Sequence, residues 1–107
     1  MFRKFAFVGI ILMGMTSSAM AATDDYNKTI ASTGVQGGVG YFKLVEPTSV
    51  NCLYSTIYIT NLSGDAGQRA MYATVLAAES GSRKIVRVEY NVDSTSTCTA
   101  TLVEVGP

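Results

Sequence analysis

Histidine is absent from all 107 residues, and tryptophan with it. Without an imidazole there is no Ser–His or Cys–His nucleophile pair, and most catalytic zinc sites lose their usual ligand. No G-x-S-x-G elbow and no dinucleotide fingerprint occurs. The run Gly34-Val35-Gln36-Gly37-Gly38 resembles a phosphate loop only in glycine content, because it lacks the lysine and a preceding strand. Charge is also sparse: eight basic residues face eight acidic ones. That balance leaves no excess to neutralise phosphates, which argues against nucleic acid. Nor is there a Lys/Arg-rich amphipathic helix to lie on a membrane surface. No cofactor motif is present.

What the chain does have begins with its first residues. Arg3 and Lys4 precede an apolar run from Phe5 to Met15, followed by Thr16-Ser17-Ser18 and Ala19-Met20-Ala21. This is the pattern of a secretory signal peptide, residues 1–21, with small residues at the −3 and −1 positions of a cut after Ala21. The apolar run is too short to cross a hydrocarbon core of ~30 Å as a helix. No cysteine sits near the cut, which argues against a lipoprotein. Removing 21 residues from 107 leaves 86, carrying six basic and eight acidic groups and a net charge of −2. The expected product is periplasmic or secreted, with no membrane insertion after cleavage, and large enough for one modest core.

Both cysteines, Cys52 and Cys98, lie in that product. An even count in an exported chain predicts a disulfide; a metal site is the alternative, disfavoured by thiols 46 positions apart and no histidine.

Residues 22–38 are polar and glycine-rich and are expected to form a flexible N-terminal arm, part of which could become a strand by pairing. Residues 39–107 are expected to form a single α+β domain. Val39 to Glu46 reads as a strand stopped by Pro47. Cys52 to Asn61 alternates strongly: Leu53, Ser55, Ile57 and Ile59 on one face, Tyr54, Thr56, Tyr58 and Thr60 on the other. Cys52 falls on the tyrosine side, so a bulge or strand start is expected near it. Asp65 to Ser80 predicts a helix, with Asp65 and Gln68 in a capping-box pattern and Gly81 as a left-handed C-terminal residue. Ala66, Ala70, Ala73 and Ala77 form a stripe that would let the helix approach a sheet closely. Ile85–Val92 and Cys98–Val105 read as an antiparallel hairpin around a polar turn.

Two groups of residues bear on function. Glu89 and Glu104, on the last two strands, are the carboxylates that a small hydrolase would use. Tyrosine occurs six times, and Tyr54 and Tyr58 fall on one strand face, where they are the candidate binding residues. The alternative is that both simply cover the outer side of the sheet. The sequons at Asn27-Lys28-Thr29 and Asn61-Leu62-Ser63 carry no weight if the source is bacterial.

Gly40-Tyr41-Phe42-Lys43-Leu44, Cys52, Ile57-Tyr58-Ile59-Thr60-Asn61, the Ala70–Ala78 helix and Cys98 together resemble a group of short exported bacterial proteins of unclear function. The order of elements also looks like the oligosaccharide/oligonucleotide-binding (OB) barrel of subtilase-cytotoxin and pertussis-like toxin B subunits. That resemblance implies a small five-stranded antiparallel barrel or sheet with one packed helix and one disulfide. It further implies homo-oligomers that bind glycans, although no glycan-binding position carries over to this chain. The reading that follows is an exported, non-catalytic binding module for a glycan or protein. A periplasmic structural or inhibitory protein and a carboxylate-dependent hydrolase are the alternatives.

Overall fold

The computed structural model describes residues 22–107; the expected signal peptide, 1–21, lies outside the described residues. Strict alternation builds β3 (Val39–Leu44): Gly40 and Phe42 are buried, while Lys43 on the other face is exposed. Its partner β2 (Ile30–Gln36) turns into it through Gly37 and Gly38, at φ +54° and +32°. Two consecutive positive φ values make the tight hairpin turn that glycine favours. The glycine-rich run is thus a hairpin rather than a phosphate loop.

Residues 23–28 also form a strand, β1 (Thr23–Lys28), so the segment expected to be a flexible arm is two strands instead. Their polar composition hid them, because pairing with β5 and β3 rather than an apolar pattern makes them strands. β4 (Thr56–Ile59) follows a single 3₁₀ turn at Leu53–Ser55, then come α1 (Ala66–Ser80), β5 (Ile85–Val92) and β6 (Cys98–Val105). The six strands lie in the order β1-β5-β6-β4-β3-β2. All neighbours are antiparallel except β4 and β6, which run parallel; the expected OB-like α+β sheet with one packed helix and one disulfide is present, with six strands in place of five and one parallel pairing.

The two edge strands, β1 and β2, are separated in the chain only by Thr29. The sheet must therefore roll until its edges come together at that residue, although no ladder joins β1 to β2 and the sheet is not closed. The corner is tied to the loop after β3. Thr29 accepts from the Val45 amide at 2.8 Å, and its own amide and hydroxyl donate to the Glu46 carboxylate at 2.6 and 2.8 Å.

The helix plugs the rolled sheet. Asp65 caps it by accepting from the Gly67 and Gln68 amides. Tyr72, Val75 and Ala78 are its buried residues, against Phe42, Ile57, Ile59, Ile85, Val88 and Tyr90. The alanine stripe faces outward: Ala66, Ala70, Ala73 and Ala77 are all exposed. A bulky Tyr72 takes the place expected of alanine because Gly40 makes room for it. A Cβ on Gly40 would fall 2.7 Å from the Tyr72 ring, and the Tyr72 hydroxyl reaches across to donate to the Gly34 carbonyl at 2.5 Å. Gly81 is not left-handed, at φ −90°; Ser82, at φ +53°, takes that conformation.

The Cys52–Cys98 disulfide is present, with its Cα atoms 5.5 Å apart and both residues buried. It accounts for the shortened β4. Cys98 bonds covalently to Cys52 and also pairs in register with Ile57, so residues 52–57 must double back instead of running extended.

Candidate functional site

On the outer face of the β2–β3–β4 sheet, cross-strand pairing assembles a cleft of about 400 Å³. Its lining is Gln36, Val39, Tyr41, Lys43, Tyr54, Thr56 and Tyr58. Register explains the grouping: Gln36 lies opposite Val39, Tyr41 opposite Tyr58, and Lys43 opposite Thr56. Outward residues of one strand therefore meet outward residues of the next.

Tyr41 and Tyr58 form the floor, their ring centroids 6.3 Å apart and the planes tilted by 60°. This geometry lies within the favourable range for aromatic pairs. Tyr41 also lies over Gly34, its direct cross-strand partner; a Cβ there would sit 2.3 Å from the ring carbon Cζ. Gly34 is thus required for the floor to exist. Thr56 is buried at the edge of the cleft, its hydroxyl donating to the Tyr54 carbonyl at 2.9 Å. Lys43 is exposed and forms no ion pair among the described residues. Tyr54 is the most exposed of the tyrosines here, at 72 %.

Tyr54 and Tyr58 both line this cleft, but not as neighbours on one strand face. Tyr58 is in β4, whereas Tyr54 is in the 3₁₀ turn before it, at φ +59° and ψ +19°. Sequence reasoning missed Tyr41, Lys43 and Gln36. The alternation around Phe42 carries the signal for the first two, since a buried Phe42 sends both flanking side chains outward.

The two carboxylates considered for catalysis sit elsewhere, on β5 and β6. Glu89 accepts from Thr101 Oγ1 at 3.0 Å and lies 3.9 Å from Arg87, which in turn donates to Asp24 at 3.1 Å. Glu104 stands opposite Arg87 in the ladder. The Asp24 hydrogen bond and charge raise the Arg87 pKa above its ordinary value. Asp24, Arg87 and Glu89 form a surface ion-pair network, and neither glutamate lines the cleft. Among the described residues no group of three or more His, Cys, Asp or Glu could hold a metal ion. No helix among them is long and apolar enough to cross a membrane.

A rolled sheet with its helix between β4 and the final β5–β6 hairpin, and a parallel pairing of β4 with β6, is decisive for the architecture. This is an OB-like fold. The chain is similar to the crystal structure of the cholera toxin-like B-subunit from Citrobacter freundii, with 14 % identity over 80 % of this chain and 85 % of that chain, at a TM-score of 0.61. Identity this low makes it a likeness of fold, and the OB-like fold hosts many functions. No family model and no curated protein matches the sequence.

Proposed function

We propose that this protein is an exported, non-catalytic binding module whose tyrosine cleft holds a glycan. The observation that carries the reading is the convergence of Tyr41, Tyr54 and Tyr58 with Gln36, Lys43 and Thr56 in one cleft. Tyrosine rings supply apolar faces for the C–H side of a sugar, and the amide, ammonium and hydroxyl groups supply donors and acceptors for its hydroxyls. The cleft volume falls within the range of small-ligand sites, ~300–1,000 Å³. Export is supported by the signal-like residues 1–21 and by the disulfide, which persists in oxidising compartments.

Screening the oxidised protein against immobilised neutral and acidic oligosaccharides tests this reading. Saturable binding is expected, and Tyr58→Ala should weaken it by about tenfold or more, the size of a hot-spot truncation. Binding that is unchanged in Tyr58→Ala would place the sugar elsewhere. Capture of a defined envelope protein with no sugar signal would favour the inhibitory or structural alternative.

Self-association belongs to the same proposal. The outer edge of β2 pairs with no other strand among the described residues, Val35 on it is 59 % exposed, and α1 exposes Leu76, at 39 %, in addition to its alanine stripe. An open edge beside a smooth helical face fits a second copy of this chain. Native mass spectrometry should show a closed homo-oligomer at micromolar concentration; a monomer at all concentrations would contradict it.

A further inference from the structure

Tyr54 and Ser55 are consecutive non-glycine residues in the left-handed region, at φ +59° and +52°. Each such residue is strained, and a bulky aromatic rarely adopts the conformation without outside support. The support comes from the start of β6. Cys52 is bonded to Cys98, and Ile57 pairs with the same Cys98 across the parallel ladder. The Leu53 amide donates to the Ser96 carbonyl at 2.7 Å, and the Ser55 amide to the Cys52 carbonyl at 2.9 Å. Thr56 Oγ1 closes the turn on the Tyr54 carbonyl. Both ends of the six-residue path from Cys52 to Ile57 are therefore cinched to the start of β6. The exposed product is the Tyr54 side chain, held out at the lip of the cleft. Backbone strain of this kind is found where a fold over-determines a ligand-contacting residue.

We propose that the disulfide and the left-handed pair form a positioning device: Ser55 and Cys52–Cys98 hold Tyr54 as a wall of the cleft, and opening either one lowers affinity without emptying the core. This rests on the glycan reading of the cleft. Ser55 is exposed, so it can be changed without repacking. Valine is β-branched and resists the left-handed region, whereas glycine enters it freely. Ser55→Val should therefore mimic Tyr54→Ala, weakening the best-bound oligosaccharide of the panel by about tenfold. Ser55→Gly should bind as the parent does.

Backbone ³J couplings and ¹³Cα shifts of residues 54 and 55, measured without any sugar, separate the two proposals. If no oligosaccharide binds the parent protein, the glycan reading fails, and the couplings alone decide the device. A left-handed signature in the parent and in Ser55→Gly, lost in Ser55→Val and on reduction, supports it. Averaged values in the parent, or parent-like affinity in a folded Ser55→Val, overturns it. Should reduction unfold the chain, the two Ser55 variants still decide the matter with the disulfide intact.

Discussion

Replacing Cys52 and Cys98 together by alanine is expected to lower the unfolding free energy by about 4 kcal/mol. The two residues are 46 apart in sequence, and chain-entropy reasoning assigns a loop of that length ~4 kcal/mol. Small domains have ~5–15 kcal/mol in total, so the loss removes a large share of the stability. The effect is enlarged by position. Both sulfurs are in the core, and Cys98 anchors the only parallel pairing in the sheet, a two-residue ladder with Ile57 and Tyr58 as its β4 members. With a urea m of ~1–2 kcal/mol/M, the midpoint should fall by about 2–4 M. A double variant that unfolds at the parent midpoint would show that the core alone fixes the fold.

The second large effect lies on the edge strand β1. Asp25 is buried at 5 % exposure on β1, where a carboxylate would ordinarily be costly. Burial pushes its pKa up, but hydrogen bonds from the Tyr90 hydroxyl and from Ser49, with the nearby Lys28 charge, outweigh that and hold it below the ordinary value. Tyr90 Oη donates at 2.5 Å, and the Ser49 amide at 3.1 Å. Burial, followed by this bond to Asp25, raises the tyrosine's own pKa. Tyr90→Phe leaves the ring in place and removes one donor from a buried anion, which costs about 2 kcal/mol by the range for charged hydrogen bonds. For a domain of this size that corresponds to a fall of roughly 8–16 °C in Tm.

The pH dependence follows in sign. A carboxylate whose pKa is lower in the folded state contributes stability above its unfolded pKa and loses it as the pH falls through the folded one. Glu46 behaves in the same way: the Thr29 amide and hydroxyl hold it down to about 2, from 4.5. The parent protein should therefore lose stability as the pH falls from about 4.5 towards 2. In Tyr90→Phe the Asp25 share of that loss should shrink, because its folded pKa moves up. Thermal melts of both proteins between neutral and acidic pH would show it; parallel curves would count against the assigned donor.

These ties explain which parts of the fold were legible beforehand. The helix was readable from Asp65 and the apolar spacing, and the final hairpin from alternation around the Asp93 turn. The cysteine pair was readable from compartment logic. β1 and β2 were not, because their residues are polar and only their partners make them strands. The turn at Tyr54 was hidden for a related reason. Its residues alternate well enough for a strand, and a covalent tie made from the far end of the chain overrides them. The alanine stripe misled because alanine suits a tight interface and an open surface equally, and Gly40 opposite Tyr72 decided between them.

The candidate site divides along the same line. Tyr54 and Tyr58 could be named from aromatic content and periodicity. Tyr41, Gln36 and Lys43 entered only when the register brought three strands together, since a cross-strand cleft belongs to no single segment of sequence.

Mapping of backbone amide shifts during titration with the best-bound oligosaccharide tests the central claim most directly. Binding in the tyrosine cleft predicts saturable shifts concentrated at Gln36, Val39, Tyr41, Lys43, Tyr54, Thr56 and Tyr58, and none on the Asp24–Arg87–Glu89 face. Shifts centred on that charged face, or no shifts with any oligosaccharide, would contradict it.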